Sequence, residues 1–227
     1  MKNTIKAALL VAAAMAAVSP ARAYTSGDLI LGFTSGGGND YITDLGQVSS
    51  LFNGESWNLN SAITGNFAGS LNNLQFGIIA GKSGTIYSTV GLGQVPPGLS
   101  SLSAYNTANA GVGAIGAGFG VNSSFTPSSG DANSWYQQTI NGAANSQFVN
   151  AYNNPNSPTP ANFTSGSVPA DFYAAKGDGS DPVQQGTFNL SSQGVLTFGA
   201  VPEPSTYMLA GLGLLAFAVR RRIFGKA

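Results

Sequence analysis

Asp28-Leu29-Ile30-Leu31-Gly32-Phe33 is the stretch on which the fold turns. It is a near-continuous apolar run, closed by Thr34-Ser35-Gly36-Gly37-Gly38, and it reads as a strand ended by a glycine-rich connection. Immediately after it, Tyr41, Thr43 and Leu45 alternate with Asp40, Ile42 and Asp44. That period of two predicts a second strand and makes the pair a hairpin. The pattern recurs twice. Leu74-Gln75-Phe76-Gly77-Ile78-Ile79-Ala80 and Thr85-Ile86-Tyr87-Ser88-Thr89-Val90 flank the turn Gly81-Lys82-Ser83-Gly84, and Thr187-Phe188-Asn189-Leu190 is joined to Gly194-Val195-Leu196-Thr197-Phe198 through Ser191-Ser192-Gln193. Paired strands separated by Gly, Asn and Ser clusters predict a mainly β domain, an antiparallel sandwich or barrel-like fold.

One stretch reads as an amphipathic helix. Over residues 133–152, Tyr136, Ile140, Ala144, Phe148 and Tyr152 recur every four residues, Asp131 or Asn133 is placed to cap the start, and Pro155 closes the end. Such a stripe is core packing against a sheet. Residues 94–130 are rich in Gly, Ser, Ala and Asn, and residues 153–167 hold Pro155, Pro158 and Pro160. Both read as stretches of low structure, and neither shows a repeat period.

The two ends differ in kind from the middle. Lys2 and Lys6 precede an apolar run over residues 7–18; Pro20 breaks it, and Ala21-Arg22-Ala23 offers small residues for cleavage between Ala23 and Tyr24. This is the order of a Sec signal peptide, and the run is too short to span about 30 Å of hydrocarbon. At the other end, Val201-Pro202-Glu203-Pro204 is followed by an apolar stretch over residues 207–219 and then by Arg220-Arg221-Arg222. Prolines keep the first part extended. The apolar part predicts a short transmembrane helix, about 20 Å long at the helical rise, with the arginines held on the cytoplasmic side. The chain divides into a signal peptide (1–23), an exported domain (24–200) and a tail (201–227).

This tripartite tail resembles the PEP-CTERM sorting domain of Gram-negative bacteria, whose presumed processing enzyme is exosortase, a multipass membrane transpeptidase or protease. The resemblance implies processing near Pro202-Glu203-Pro204, a membrane-inserted precursor, and an association with exopolysaccharide and biofilm matrix at the cell surface. Gly-Asp-Leu-Ile-Leu-Gly-Phe at residues 27–33, with the later Asn-Asp-Tyr and Asp-Leu-Gly, is also similar to the start of other PEP-CTERM exported proteins. It implies no activity.

Charge and composition exclude several functions. Residues 24–200 carry two cations, Lys82 and Lys176, against eight acids, a net charge of −6. Nucleic-acid binding needs the opposite sign. The chain has no cysteine and no histidine, which excludes disulfides, the usual zinc sites, thiol catalysis and any histidine-based triad. Gly111-Val112-Gly113-Ala114-Ile115-Gly116 matches the dinucleotide pattern but lacks the preceding strand and following helix that make it work.

Three constellations remain. Asp171, Asp178 and Asp181 form the densest acidic patch; Asp178 and Asp181 are the candidate ligands for calcium, a solvated turn being the ordinary reading, and no other cofactor is expected. Asp40, Asp44 and Glu55 are the acids a glycoside hydrolase would need, with Asp40 and Asp44 on one face by strand parity. Trp57, in a loop among Asn53, Asn58 and Asn60, is the candidate platform for stacking a sugar, while Trp135 belongs to the helix stripe. Asn122, Asn162 and Asn189 open glycosylation sequons, which carry little weight in a bacterium. The expectation is an exported, non-enzymatic surface or matrix protein, with a polysaccharide-binding module and a carboxylate-dependent hydrolase as alternatives.

Overall fold

A computed structural model describes residues 23–67, 74–141 and 167–201. Its centre is β1 (Asp28–Thr34), buried along its whole length. A strand apolar on both faces must be covered on both, and the architecture supplies two covers. β1 pairs antiparallel with β2 (Tyr41–Gln47) on one side and with β4 (Gln75–Lys82) on the other. The chain then adds β5 (Thr85–Gly91), β7 (Ser167–Lys176), β8 (Val183–Ser191) and β9 (Val195–Ala200), each antiparallel to the one before. Short strands β3 (Ser56–Asn58) and β6 (Ser124–Phe125) complete a nine-stranded sheet of order β3-β9-β8-β7-β5-β4-β1-β2-β6. All three expected hairpins form. The sheet is a single one, curled into a half-barrel, which fits the barrel-like alternative and not the sandwich.

The turn between β4 and β5 has two residues, Ser83 (φ 49°) and Gly84 (φ 81°). Positive φ at both positions is the twist-matched hairpin turn, which makes it tighter than the four residues Gly81-Lys82-Ser83-Gly84 suggest.

Register sorts the side chains onto two faces. Leu29, Leu31, Phe33, Phe76, Ile78, Phe172, Phe188, Leu190, Leu196 and Phe198 form one continuous apolar cluster, closed by Ile63 of α1 (Asn60–Asn66). Its rings touch in series: Phe172 meets Phe188 at 5.1 Å, and Phe188 meets Phe198 at 4.9 Å. Edge contacts of this kind add about 0.5–1.5 kcal/mol each to the burial itself. On the opposite face, Ile30, Ile42, Ile79 and Ile86 pack against α2 (Leu102–Gly116) and α3 (Trp135–Thr139).

The helical layer corrects two expectations. Residues 94–130, read as low in structure, contain the fifteen-residue α2, capped where Ala104 N donates to Ser101 Oγ at 3.2 Å. Three glycines and several Asn, Ser and Thr residues oppose this helix by propensity. Burial of Tyr105, Ala108, Val112 and Ile115, spaced along one face, overrides them. In the stretch expected to be helical, Trp135–Thr139 forms α3 and Ile140 packs beside it on the same core; residues 142–152 of the expected helix lie outside the described residues. β7 is a strand that the sequence does not announce, running from Ser167 at the end of the expected loop through Asp171 of the acidic patch. Its Pro169 sits one position beyond the last pairing with β5, where no amide hydrogen is required of it.

Two glycines let the helices approach. A β-carbon on Gly32 would stand 1.9 Å from the Trp135 ring, and one on Gly81 would stand 1.9 Å from Asn109 Oδ1. Trp135 is 1% exposed, so its indole seats directly on the backbone of the central strand. Gly32→Ala is expected to lower unfolding free energy by at least about 2 kcal/mol, because a ring that large has nowhere to go. Adding Trp135→Leu to Gly32→Ala recovers part of the loss, as read by denaturant unfolding of the four forms of the cycle.

Candidate functional site

The carboxylates come first because sequence parity placed them together. Asp40 and Asp44 do share the helix-covered face, but each is engaged in holding the chain. Asp40 Oδ2 accepts a hydrogen bond from Tyr136 N at 2.8 Å, which pins the first turn of α3 to the start of β2. Asp44 Oδ1 accepts from Gly46 N at 2.7 Å. Glu55, in the loop before β3, accepts from Phe52 N through Oε2 at 3.3 Å. Three acids on three backbone amides make a structural set.

Asp40 is also electrostatically strained. It is 1% exposed, and burial raises its carboxyl pKa above the ordinary 3.8. The Tyr136 and Trp135 amides and the nearby hydroxyls of Thr34 and Ser134 offset only part of that. Neither hydroxyl meets hydrogen-bond geometry at Oδ1, which has no partner.

The acidic patch is dispersed. Asp171 lies inside β7, where Oδ1 accepts from Thr187 Oγ1 at 2.9 Å and Oδ2 from Gly93 N at 2.8 Å. It is buried between β5 and β8 and does not join Asp178 and Asp181, which are exposed in the connection to β8. Asp178 accepts from Ser180 N at 3.0 Å, and the Ser180 hydroxyl and amide lower its pKa. That is the geometry of a self-bonded turn. Among the described residues no three acidic side chains are grouped to hold a metal ion.

Trp57 lies in strand β3, opposite Leu196 of β9, where a loop was expected. Its half-buried ring sits 6.1 Å from Phe188, tilted by 41°, and belongs to the edge of the apolar cluster. Gly111 to Gly116, the dinucleotide-like pattern, lies within α2, and Gly116 makes room for the Tyr24 ring. A phosphate needs the amides of a helix start, and these amides are already inside a helix. Asn122 is exposed and Asn189 is in β8, while Asn162 lies outside the described residues.

The structure also forms a cavity that no local sequence pattern marks. It has a volume of about 410 Å³ and opens at the end of the sheet where β9 finishes. Tyr87 is its half-buried aromatic side chain, with the buried Phe172 and Phe198 behind the lining; Lys82, Ser49 and Gln185 stand among the polar lining. Tyr87 and Phe172 are stacked, with centroids 5.9 Å apart and planes 24° from parallel. Lys82 is held from both ends. Gly27, at φ 93°, leaves space for its stem, since a β-carbon there would meet Lys82 Cδ at 2.8 Å, and the ammonium donates to Ser49 Oγ at 3.0 Å.

Asp40 offers a pH test of the structural assignment. A raised folded-state pKa favours the protonated form, so this group's contribution is fully present below the unfolded value near 3.8 and is lost as pH rises through the folded value. Asp40→Asn, which keeps an acceptor for Tyr136 N and carries no charge, is expected to equal or exceed the parent in stability at neutral pH. That advantage shrinks toward about pH 4, where the parent's own carboxyl is neutralised. Asp40→Ala, which leaves the amide unbonded, costs about 1–3 kcal/mol near pH 4 and less at neutral pH, where the parent's own buried charge already weakens it. Urea unfolding at the two pH values checks both.

Of the two chain ends, Ala23 is exposed and Tyr24 half-buried at the expected cleavage junction. The remainder of the signal peptide lies outside the described residues. In the tail Val201 is exposed, its amide donating to Gln185 O at 3.2 Å. Pro202, Glu203, Pro204, the apolar stretch and Arg220, Arg221 and Arg222 lie outside the described residues. Among the described residues no helix is long and apolar enough to cross a membrane. No curated protein and no solved structure matches the chain. Residues 200–222 do match a family model, that of the PEP-CTERM protein-sorting motif. The match begins where β9 ends, and by that motif the chain is a PEP-CTERM protein.

Proposed function

We propose that this chain is an exosortase-sorted surface or extracellular-matrix protein of a Gram-negative bacterium, and that its β-domain works by binding and packing rather than by catalysis. The observation that carries the reading is the sorting-motif match over residues 200–222. The sequence before and after the domain supports it: a charged, apolar and small-residue leader at one end, and Pro-Glu-Pro, an apolar stretch and three arginines at the other. In this reading the Sec machinery exports the chain, the short apolar tail holds the precursor in the inner membrane, and exosortase then processes it beside Pro202-Glu203-Pro204. The partners are these two machines, the membrane during sorting, and exopolysaccharide after it.

The non-catalytic part of the proposal rests on how the candidate acids are engaged. Asp40, Asp44 and Glu55 each accept from a backbone amide, which supports a structural role for these three acids. The polysaccharide-binding alternative has a specific observation in its favour, the cavity lined by Tyr87, and not the Trp57 platform first considered.

Intact-mass measurement of the protein recovered from the cell surface or the medium tests the sorting reading. The expected mass lacks residues 1–23 and most of the tail beyond residue 204. A mass that still includes Ala227 overturns exosortase processing, and a mass that includes Met1 overturns signal-peptide removal.

A further inference from the structure

We infer that the cavity at the end of β9 is a saccharide site selective for a sugar bearing a carboxylate, a uronic acid residue at a chain end or within a short oligomer. This deepens the polysaccharide-binding reading above, yet its success or failure is independent of tail processing. The site's size fits, since about 410 Å³ falls within the range of small-ligand pockets. Its chemistry is divided in the way a sugar ring is divided. The half-buried Tyr87 ring, backed by the fully buried Phe172, offers an apolar surface to the C–H face of a pyranose, while Ser49, Thr85 and Gln185 supply hydroxyl and amide groups to its hydroxyls. An acyl chain would leave those polar groups without partners, at a cost for each.

Charge selects the acidic sugar. Among the described residues Lys82 is the sole charged side chain of the lining, in a region of the chain that carries two cations against eight acids. Its ammonium has a hydroxyl partner, Ser49, and no carboxylate partner among the described residues. Because its stem is seated over Gly27, little side-chain freedom is lost when an anion arrives.

The test is calorimetric titration of the secreted, processed protein with trigalacturonate, maltotriose and decanoate. The expected result is binding of trigalacturonate that weakens as salt is raised, with maltotriose at least about tenfold weaker and decanoate without effect. Lys82→Gln is expected to reduce trigalacturonate affinity about tenfold or more, to the level of maltotriose, and to abolish the salt dependence. Ser49→Ala, a smaller change at the same ammonium, gives a partial loss; thermal melting shows whether each variant remains folded. Equal trigalacturonate affinity in the parent and a folded Lys82→Gln overturns the proposal, as does preference for maltotriose or decanoate, or no binding of any probe. Each of those results leaves the intact-mass outcome, and with it the sorting reading, untouched.

Discussion

The Trp135 indole occupies the volume where residue 32 would otherwise carry a β-carbon, and the rest of the architecture follows from that contact. A sheet buried on one face needs only its own curl, whereas a sheet whose central strand is apolar on both faces needs a second layer. Among the described residues that layer holds a helix of fifteen residues and one of five. Such helices bury a sheet well only if they come close, and closeness demands absent side chains beneath them. Gly32 under Trp135 and Gly81 under Asn109 supply the two openings. The buried Asp40 carboxylate then fastens α3 by its Tyr136 amide, which explains why a charge is tolerated in a place that raises its pKa.

The two faces of the sheet have different jobs. The aromatic face joins two groups of rings in one apolar cluster, Phe33 with Phe76 and Phe172 with Phe188 and Phe198, and Ile63 of α1 belongs to the same cluster. It stabilises the domain without any disulfide, as a chain with no cysteine must. The buried Phe172 of that cluster packs against Tyr87 beside the cavity, so the core and the candidate site are in contact. A rigid backing of packed rings is the support that a weak stacking interaction requires.

What could be read from sequence follows from how locally each element is specified. The hairpins of β1–β2, β4–β5 and β8–β9 announce themselves because apolar and β-branched runs are punctuated by glycine. β7 does not, because Pro169 and a series of alanines mask a strand whose order comes from pairing on both sides. α2 is obscured by residues of low helix propensity, although Tyr105, Ala108, Val112 and Ile115 carry the one-face spacing that would have revealed it. The candidate site is the least legible feature. Its lining comes from the segment after β2, the β4–β5 turn, β7, β8 and β9, and no window of sequence contains more than a part of it. The sorting motif is the opposite case, a linear signal meant to be read as sequence.

The two ends of the sheet have a further consequence. Its border strands are β3, three residues long, and β6, two residues long, so the ladder stops at both sides on stubs rather than on full-length strands. Long open borders recruit further strands from neighbouring molecules and grow into fibres. Stubs of two and three residues offer few main-chain hydrogen bonds with which such growth could start.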